Sequence, residues 1–304
     1  MYKKFSKNPF IKNYQKSQLQ IRQYTSSLRM LPHFIIFGVA RGGTTSLYNY
    51  LTAHSNIASA TLKEIGFFDY EFNKGINYYR TYFPSFISKY FKKNFVTGEA
   101  TPSYMHHPLV PSRIKETLPN VKLIALLRNP VERAYSHYYQ AVRAGRETLP
   151  FEVAIKHQIA ERACFEEGNI LGEAKHVRRI YHPHAYLSKG IYIDHLRRWL
   201  DVFPRQQILF LKSEELYTDP QTVLQNTLEF LELPQWTLAK YEKYNAYGQH
   251  FALVNSAKTN AGKKSDSKEY EKMDSAVRQQ LVDYFKPYNE QLYELLGVDF
   301  DWDN

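Results

Sequence analysis

Phe34-Ile35-Ile36-Phe37-Gly38-Val39-Ala40-Arg41-Gly42-Gly43-Thr44-Thr45-Ser46-Leu47 is the stretch that decides the reading of this chain. An apolar run enters a glycine-rich turn, and a segment of helical composition leaves it. The interval from Gly38 across four residues to Gly43 fits a phosphate-binding loop, where backbone N–H groups and the start of the next helix cradle an anion. A nucleotide triphosphatase continues such a loop with Lys and then Ser or Thr, the Lys for the terminal phosphates and the hydroxyl for magnesium. Thr44 and Thr45 stand in those places here. The cation sits inside the loop instead, at Arg41, where it can face a transferring group that carries less charge than a γ-phosphate and does not need a metal.

A second stretch points the same way. Val121-Lys122-Leu123-Ile124-Ala125-Leu126-Leu127 is nearly continuous apolar sequence, as expected of a strand buried on both faces of a parallel sheet. Arg128-Asn129-Pro130 follows, and residues 131–139 read as a helix with Asn129 as its N-cap and Pro130 in its first turn. Arg128 at the strand end and Ser136 two turns into the helix can converge on one anion. The guanidinium offers a bidentate fork and the hydroxyl a further donor, a set suited to a phosphate monoester. Taken singly, either stretch also fits an ordinary strand–turn–helix connection; two anion motifs in sequence make that reading poor.

With both motifs in place the chain resembles the sulfotransferases that use 3'-phosphoadenosine 5'-phosphosulfate. Their first motif is a glycine-rich loop with an internal Lys or Arg, similar to Arg41 through Ser46; their 3'-phosphate motif is an Arg at a strand end and a Ser eight residues later, similar to Arg128 and Ser136. Lys63-Glu64-Ile65-Gly66-Phe67-Phe68-Asp69 resembles the Lys-Glu-x-x-Phe-Phe segment of the glycosaminoglycan-modifying branch, in which the Glu is the general base. An acceptor hydroxyl or amine loses a proton as its lone pair attacks sulfur, and a carboxylate within hydrogen-bond reach takes it. The resemblance therefore implies Glu64 as base, with Arg41 and Lys63 stabilising charge on the transferring group.

Gly98-Glu99-Ala100-Thr101-Pro102 is similar to the branch's Gly-Glu-Lys-Thr-Pro, with Ala100 in place of the Lys. Glu99 is then a second carboxylate, either orienting Lys63 or Arg41 or satisfied by nearby backbone N–H groups. His106 and His107 are adjacent histidines to which spacing gives no role. Asn260-Ala261-Gly262-Lys263-Lys264 falls where relatives carry a Lys-Gly-Arg loop closing on the 3'-phosphate, which adds Gly262 and Lys263 to the expected nucleotide site. Cosubstrate binding is thus expected from Arg41, Gly42, Gly43, Thr44, Thr45, Ser46, Arg128, Ser136, Gly262 and Lys263. No histidine pattern among the eleven reads as a metal site.

Strand and helix signals alternate from Phe34 to Leu211, which predicts an α/β fold with a mostly parallel, doubly wound sheet flanked by helices. The chain of 304 residues is long enough for one core of that kind. It is divided as a basic, flexible arm at 1–30 and one catalytic domain at 31–304. After Pro220 the sequence is mainly helical, closing on Met273 to Leu296 with Val277, Leu281, Tyr284 and Phe285 at helical spacing.

Cys164 is the single cysteine, so an internal disulfide is excluded. No apolar stretch approaches the ~20 residues of a membrane span, and the first residues lack a signal peptide's apolar core. Golgi relatives are membrane-anchored and often disulfide-bonded; the expectation here is a cytoplasmic, bacterial enzyme. The net charge of +10 suits a polyanionic cosubstrate, with no nucleic-acid partner expected. A P-loop phosphotransferase and a non-catalytic polyanion or nucleic-acid binder are the competing readings. The first lacks the Lys at Thr44 and an Asp-ended strand for magnesium. The second leaves both phosphate motifs unexplained. The acceptor is open among a glycan, a lipid and a small metabolite, the glycan favoured by the Lys-Glu-x-x-Phe-Phe resemblance; sequence says nothing of oligomeric state.

Overall fold

The apolar run before the glycine loop becomes the centre of the molecule. In the computed structural model, which describes residues 20–87, 94–166, 184–242, 244 and 272–303, it forms β1 (Phe34–Gly38). There follow α1 (Thr44–Ala53), β2 (Ile57–Ser59), α2 (Ile76–Arg80), β3 (Val96–Ala100), α3 (Val110–Thr117), β4 (Lys122–Leu127), α4 (Pro130–Arg143), α5 (Phe151–Glu166), α6 (Tyr192–Leu200), β5 (Ile208–Lys212), α7 (Glu215–Thr218), α8 (Pro220–Phe230) and α9 (Ser275–Leu296). The strands make one five-stranded sheet in the order β2-β3-β1-β4-β5. Every pairing is parallel, with Phe34 opposite Gly98 on one side and Lys122 on the other.

Alternation along the strands assigns the two faces. Ile35, Phe37, Leu123, Ala125 and Leu127 point into one core, with Val131 and Ala134 of α4, Leu196 and Trp199 of α6, and Leu281 and Phe285 of α9. Phe34, Ile36, Ile124 and Leu126 point into the other, beneath Leu47 and Leu51 of α1 and Leu224 and Leu228 of α8. This is the doubly wound α/β arrangement expected from the alternating signals. Helices α1 and α4, which follow the adjacent strands β1 and β4, lie on opposite faces. The connections thus change direction between β1 and β4, and the carboxyl ends of strands at such a switch point are where open α/β sheets bind ligands.

Local chemistry fixes the helix starts. The Asn129 carboxamide accepts from Val131 N at 2.9 Å and Glu132 N at 3.3 Å, with Pro130 in the first turn. Asp219 caps α8 through Thr222 N at 3.2 Å, and Asp274 caps α9 through Ala276 N at 2.9 Å. Of the basic arm, residues 20–30 are described; most are exposed, and two of its arginines are tied to the domain. Arg22 donates to the carbonyls of Thr81 and Phe83, each at 2.5 Å, and Arg29 to that of Phe83 at 3.2 Å. Among the described residues no helix is long and apolar enough to cross a membrane.

Candidate active site

The glycine loop leaves β1 and turns into α1 through two unusual backbone positions. Arg41 has φ +75° and Gly43 φ +89°. At Gly42 an added Cβ would lie 2.8 Å from the Leu126 carbonyl oxygen, and at Gly43 it would lie 2.8 Å from Leu216 Cδ2 and 2.9 Å from the Tyr217 hydroxyl. Both positions therefore require glycine. Helix α1 starts at Thr44 with no side chain capping it, so its first N–H groups are donors that an anion can take. Thr44 is buried and Thr45 half-buried at this end. The Ser46 hydroxyl accepts from Tyr244 N at 3.0 Å.

The residues expected to bind two ends of a nucleotide meet here. Arg41 Nε donates to Ser136 Oγ at 3.0 Å, and Arg128 Nη1 donates to the Arg41 carbonyl at 3.0 Å. Arg128 is itself fixed by the Tyr192 hydroxyl, which donates to its carbonyl at 2.6 Å, and Asn129 N donates to Glu214 Oε1 at 2.9 Å. Gly262 and Lys263 lie outside the described residues.

One cation that sequence reasoning passed over belongs to this corner. Arg133 has no exposed surface; its Nη2 donates to the Tyr186 carbonyl, while Nε and Nη1 have no hydrogen-bond partner. Burial lowers its pKa to about 10, and it remains charged at neutral pH. Lys189 is brought down to about 8, by burial first and then by Arg133 and Arg146. Burial, with Arg133 and Lys189 adding to it, holds His137 well below its ordinary value, so it is neutral. Arg133 and Ser136 are three residues apart on α4 and so share one face, but that spacing alone does not show that the face is enclosed.

Lys63 and Glu64 lie beside the end of β3. Glu64 N donates to the Ala100 carbonyl at 3.1 Å, and Ala100 is paired with Ile36 of β1. Lys63 Nζ sits 3.1 Å from Glu64 Oε1, the two side chains 21% and 28% exposed. Glu64 has φ +57° and Gly66 φ +66°, after which Phe67–Glu71 winds as a π-helical turn. A non-glycine residue in left-handed backbone costs energy and persists where its surroundings over-determine it.

Glu99 has neither of its expected roles. It is wholly buried and contacts neither a cation nor a backbone N–H; the hydroxyls of Tyr79 and Tyr104 donate to Oε1 at 2.5 and 3.1 Å, and that of Thr101 to Oε2 at 2.6 Å. Its strand position turns it inward, so Lys63 is left to Glu64. His106 is also wholly buried, its ring 4.6 Å from that of His195, and both ring nitrogens lack a partner. Burial, followed by His195 and Lys189, keeps it neutral. Burial, followed by Arg113 and Arg198, lowers His107 to about 4.

A parallel doubly wound sheet, a helix start without a side-chain cap, and Arg41 and Arg128 after neighbouring strands beside Ser136 of α4 define an anion-binding α/β protein. The profile of the family described as "Sulfotransferase domain" matches residues 31–294. The chain belongs to the sulfotransferase family. It is 27% identical to the membrane-associated sulfotransferase kil1 of Dictyostelium discoideum, over 91% of this chain and 68% of that protein. It is 30% identical to the heparan sulfate glucosamine 3-O-sulfotransferase 3B1 of Mus musculus, over 90% of this chain and 66% of that protein. The chain thus spans about two thirds of the length of these relatives. The crystal structure of a sulfotransferase from Alicyclobacillus acidocaldarius is similar with a TM-score of 0.65 and 26% identity, covering 90% of this chain and all of that one.

Proposed function

We propose that this enzyme moves a sulfonyl group from 3'-phosphoadenosine 5'-phosphosulfate to a hydroxyl or amine of a carbohydrate. The observation that carries the donor is the meeting of Arg41, Arg128 and Ser136 beside the uncapped start of α1. One anion fits the α1 N–H groups and a second fits the Arg128 fork. The nucleotide supplies an activated sulfur with a phosphate leaving group. Support for the carbohydrate comes from the Lys63-Glu64 segment and from relatives named for heparan sulfate, a 3-O-sulfotransferase at 30% identity and a bifunctional N-deacetylase/N-sulfotransferase of Caenorhabditis elegans at 29%.

In this reading the α1 N–H groups with Thr44 and Thr45 hold the 5' end, and Arg128 with Ser136 holds the 3'-phosphate. Glu64 takes the proton of the attacking hydroxyl or amine. Arg41 and Lys63 stabilise charge that grows during transfer, and the loop's preset geometry holds the reacting groups in line. Arg41 stands where glycan-modifying relatives have Lys; a guanidinium stays protonated, so its contribution is electrostatic.

The test is transfer of labelled sulfonate to desulfated heparan fragments. Adenosine 3',5'-bisphosphate is expected to raise the melting temperature where ATP with magnesium does not. Stabilisation by ATP with magnesium instead would favour a phosphotransferase. Transfer is also expected to proceed unchanged in EDTA, since Thr44 stands where a magnesium-dependent loop has Lys. Activity lost to chelation and restored by magnesium would refute this.

A further inference from the structure

Buried carboxylates are ordinarily matched to a cation or to backbone N–H groups. Glu99 is matched to three hydroxyls, and one of them leads to the site. A tyrosine hydroxyl has one proton to donate and lone pairs to accept with. The Tyr104 proton is committed to Glu99 Oε1, and its lone pairs receive Phe67 N at 2.9 Å and Phe68 N at 3.3 Å. Those two N–H groups open the π-helical turn that follows Glu64. The same short segment fastens the loop twice more, through the Ala100 carbonyl to Glu64 N and through Ser103 Oγ, which donates to Asp69 Oδ2 at 2.7 Å. From the far side Arg113 Nη1 donates to the Phe68 carbonyl at 2.6 Å.

We propose that Glu99 is a positioning residue: by fixing the direction of the Tyr104 hydroxyl, it holds the loop that carries Glu64 in its left-handed backbone. The inference rests on Glu64 being the base. Four titratable groups face Glu99: Tyr79 of α2, Tyr104 after β3, Tyr48 of α1 and Asp69 of the π-helical turn. Burial raises the carboxyl to about 7, Asp69 acts in the same direction, and the three hydroxyls oppose it. The proton is therefore exchanged near neutrality. An ionised acceptor makes the stronger hydrogen bond, so the hold on the loop tightens as pH rises through about 7.

Amide hydrogen exchange over residues 65–71 in the full chain, corrected for intrinsic rates, reads this hold without turnover. Tyr104→Phe is expected to speed exchange at Phe67 and Phe68 by about fivefold or more, the worth of a lost hydrogen bond, and to lower kcat by a similar factor with adenosine 3',5'-bisphosphate affinity unchanged. Glu99→Gln keeps an acceptor oxygen without the charge. It should match the wild type at pH 6 and exchange faster than it at pH 8. Wild-type exchange in both variants at both pH values overturns the proposal, as does a Glu99→Gln protein that keeps the wild-type pH dependence. Glu64→Gln is assayed alongside. Faster loop exchange with undiminished kcat in Tyr104→Phe and Glu64→Gln would uphold the tie and overturn the base assignment.

Discussion

Glu64→Gln is expected to lower turnover by roughly 10²–10⁴, the worth of a positioned general base, with nucleotide affinity almost unchanged. The amide keeps the size of the side chain and an acceptor oxygen for Lys63, and it loses only the capacity to take a proton. Its backbone tie to the Ala100 carbonyl is independent of the side chain, so the loop should stay where it is. Glu99 does not compete for the role: it is fully enclosed, with both oxygens occupied by hydroxyls. Its Gln variant should be much the milder of the two in a steady-state assay at saturating donor. If Glu64→Gln turns over at the native rate and Glu99→Gln does not, the base belongs to Glu99 and the assignment of Glu64 fails.

The second large effect is on the nucleotide. Arg128→Ala should weaken adenosine 3',5'-bisphosphate binding by about 1.5–3 kcal/mol, the range for a hydrogen bond to a charged group. That is ~10- to 150-fold in Kd. Adenosine 5'-phosphate should lose much less. Arg128 also donates to the Arg41 carbonyl at 3.0 Å, so a loss of up to about 1 kcal/mol is expected through the loop even without a 3'-phosphate. Calorimetry with both nucleotides separates the two contributions. Equal losses for the two would remove Arg128 from the 3'-phosphate site.

Much of this was legible in the residues because the relevant signals are local. The run from Ile35 to Phe37 and the run from Leu123 to Leu127 have the composition of doubly buried strands, and both are fully buried. Asn129 caps α4 as its position before Pro130 predicts. Motif spacing pairs Arg128 with Ser136 on one anion and sets Arg41 on another; in the fold Arg41 donates to Ser136 Oγ and Arg128 to the Arg41 carbonyl, so the two groups adjoin. What escaped is non-local. The partners of Glu99 come from α2, from the residue two further along and from the turn after β3, a convergence with no periodic signature. Arg133 reads as one more helix-surface cation until α4 packs on the sheet and encloses it. The histidines at 106 and 107 look alike in sequence, yet the first is wholly buried at the end of a 3-10 turn and the second, just past it, is half-exposed.

The order of the strands divides the labour of the enzyme. The groups proposed to hold the nucleotide hang from β1 and β4, while the loop with Glu64 is fastened to β3 and its following turn, on the other side of β1. In the proposed function, donor recognition and acceptor chemistry thus rest mainly on different strands of one sheet. Substitutions in residues 60–75 other than Lys63 and Glu64 are then expected to alter which acceptor is admitted while leaving in place the arginines proposed to hold the donor. A lineage with this sheet is free to diversify what it sulfonates while keeping constant what it sulfonates with.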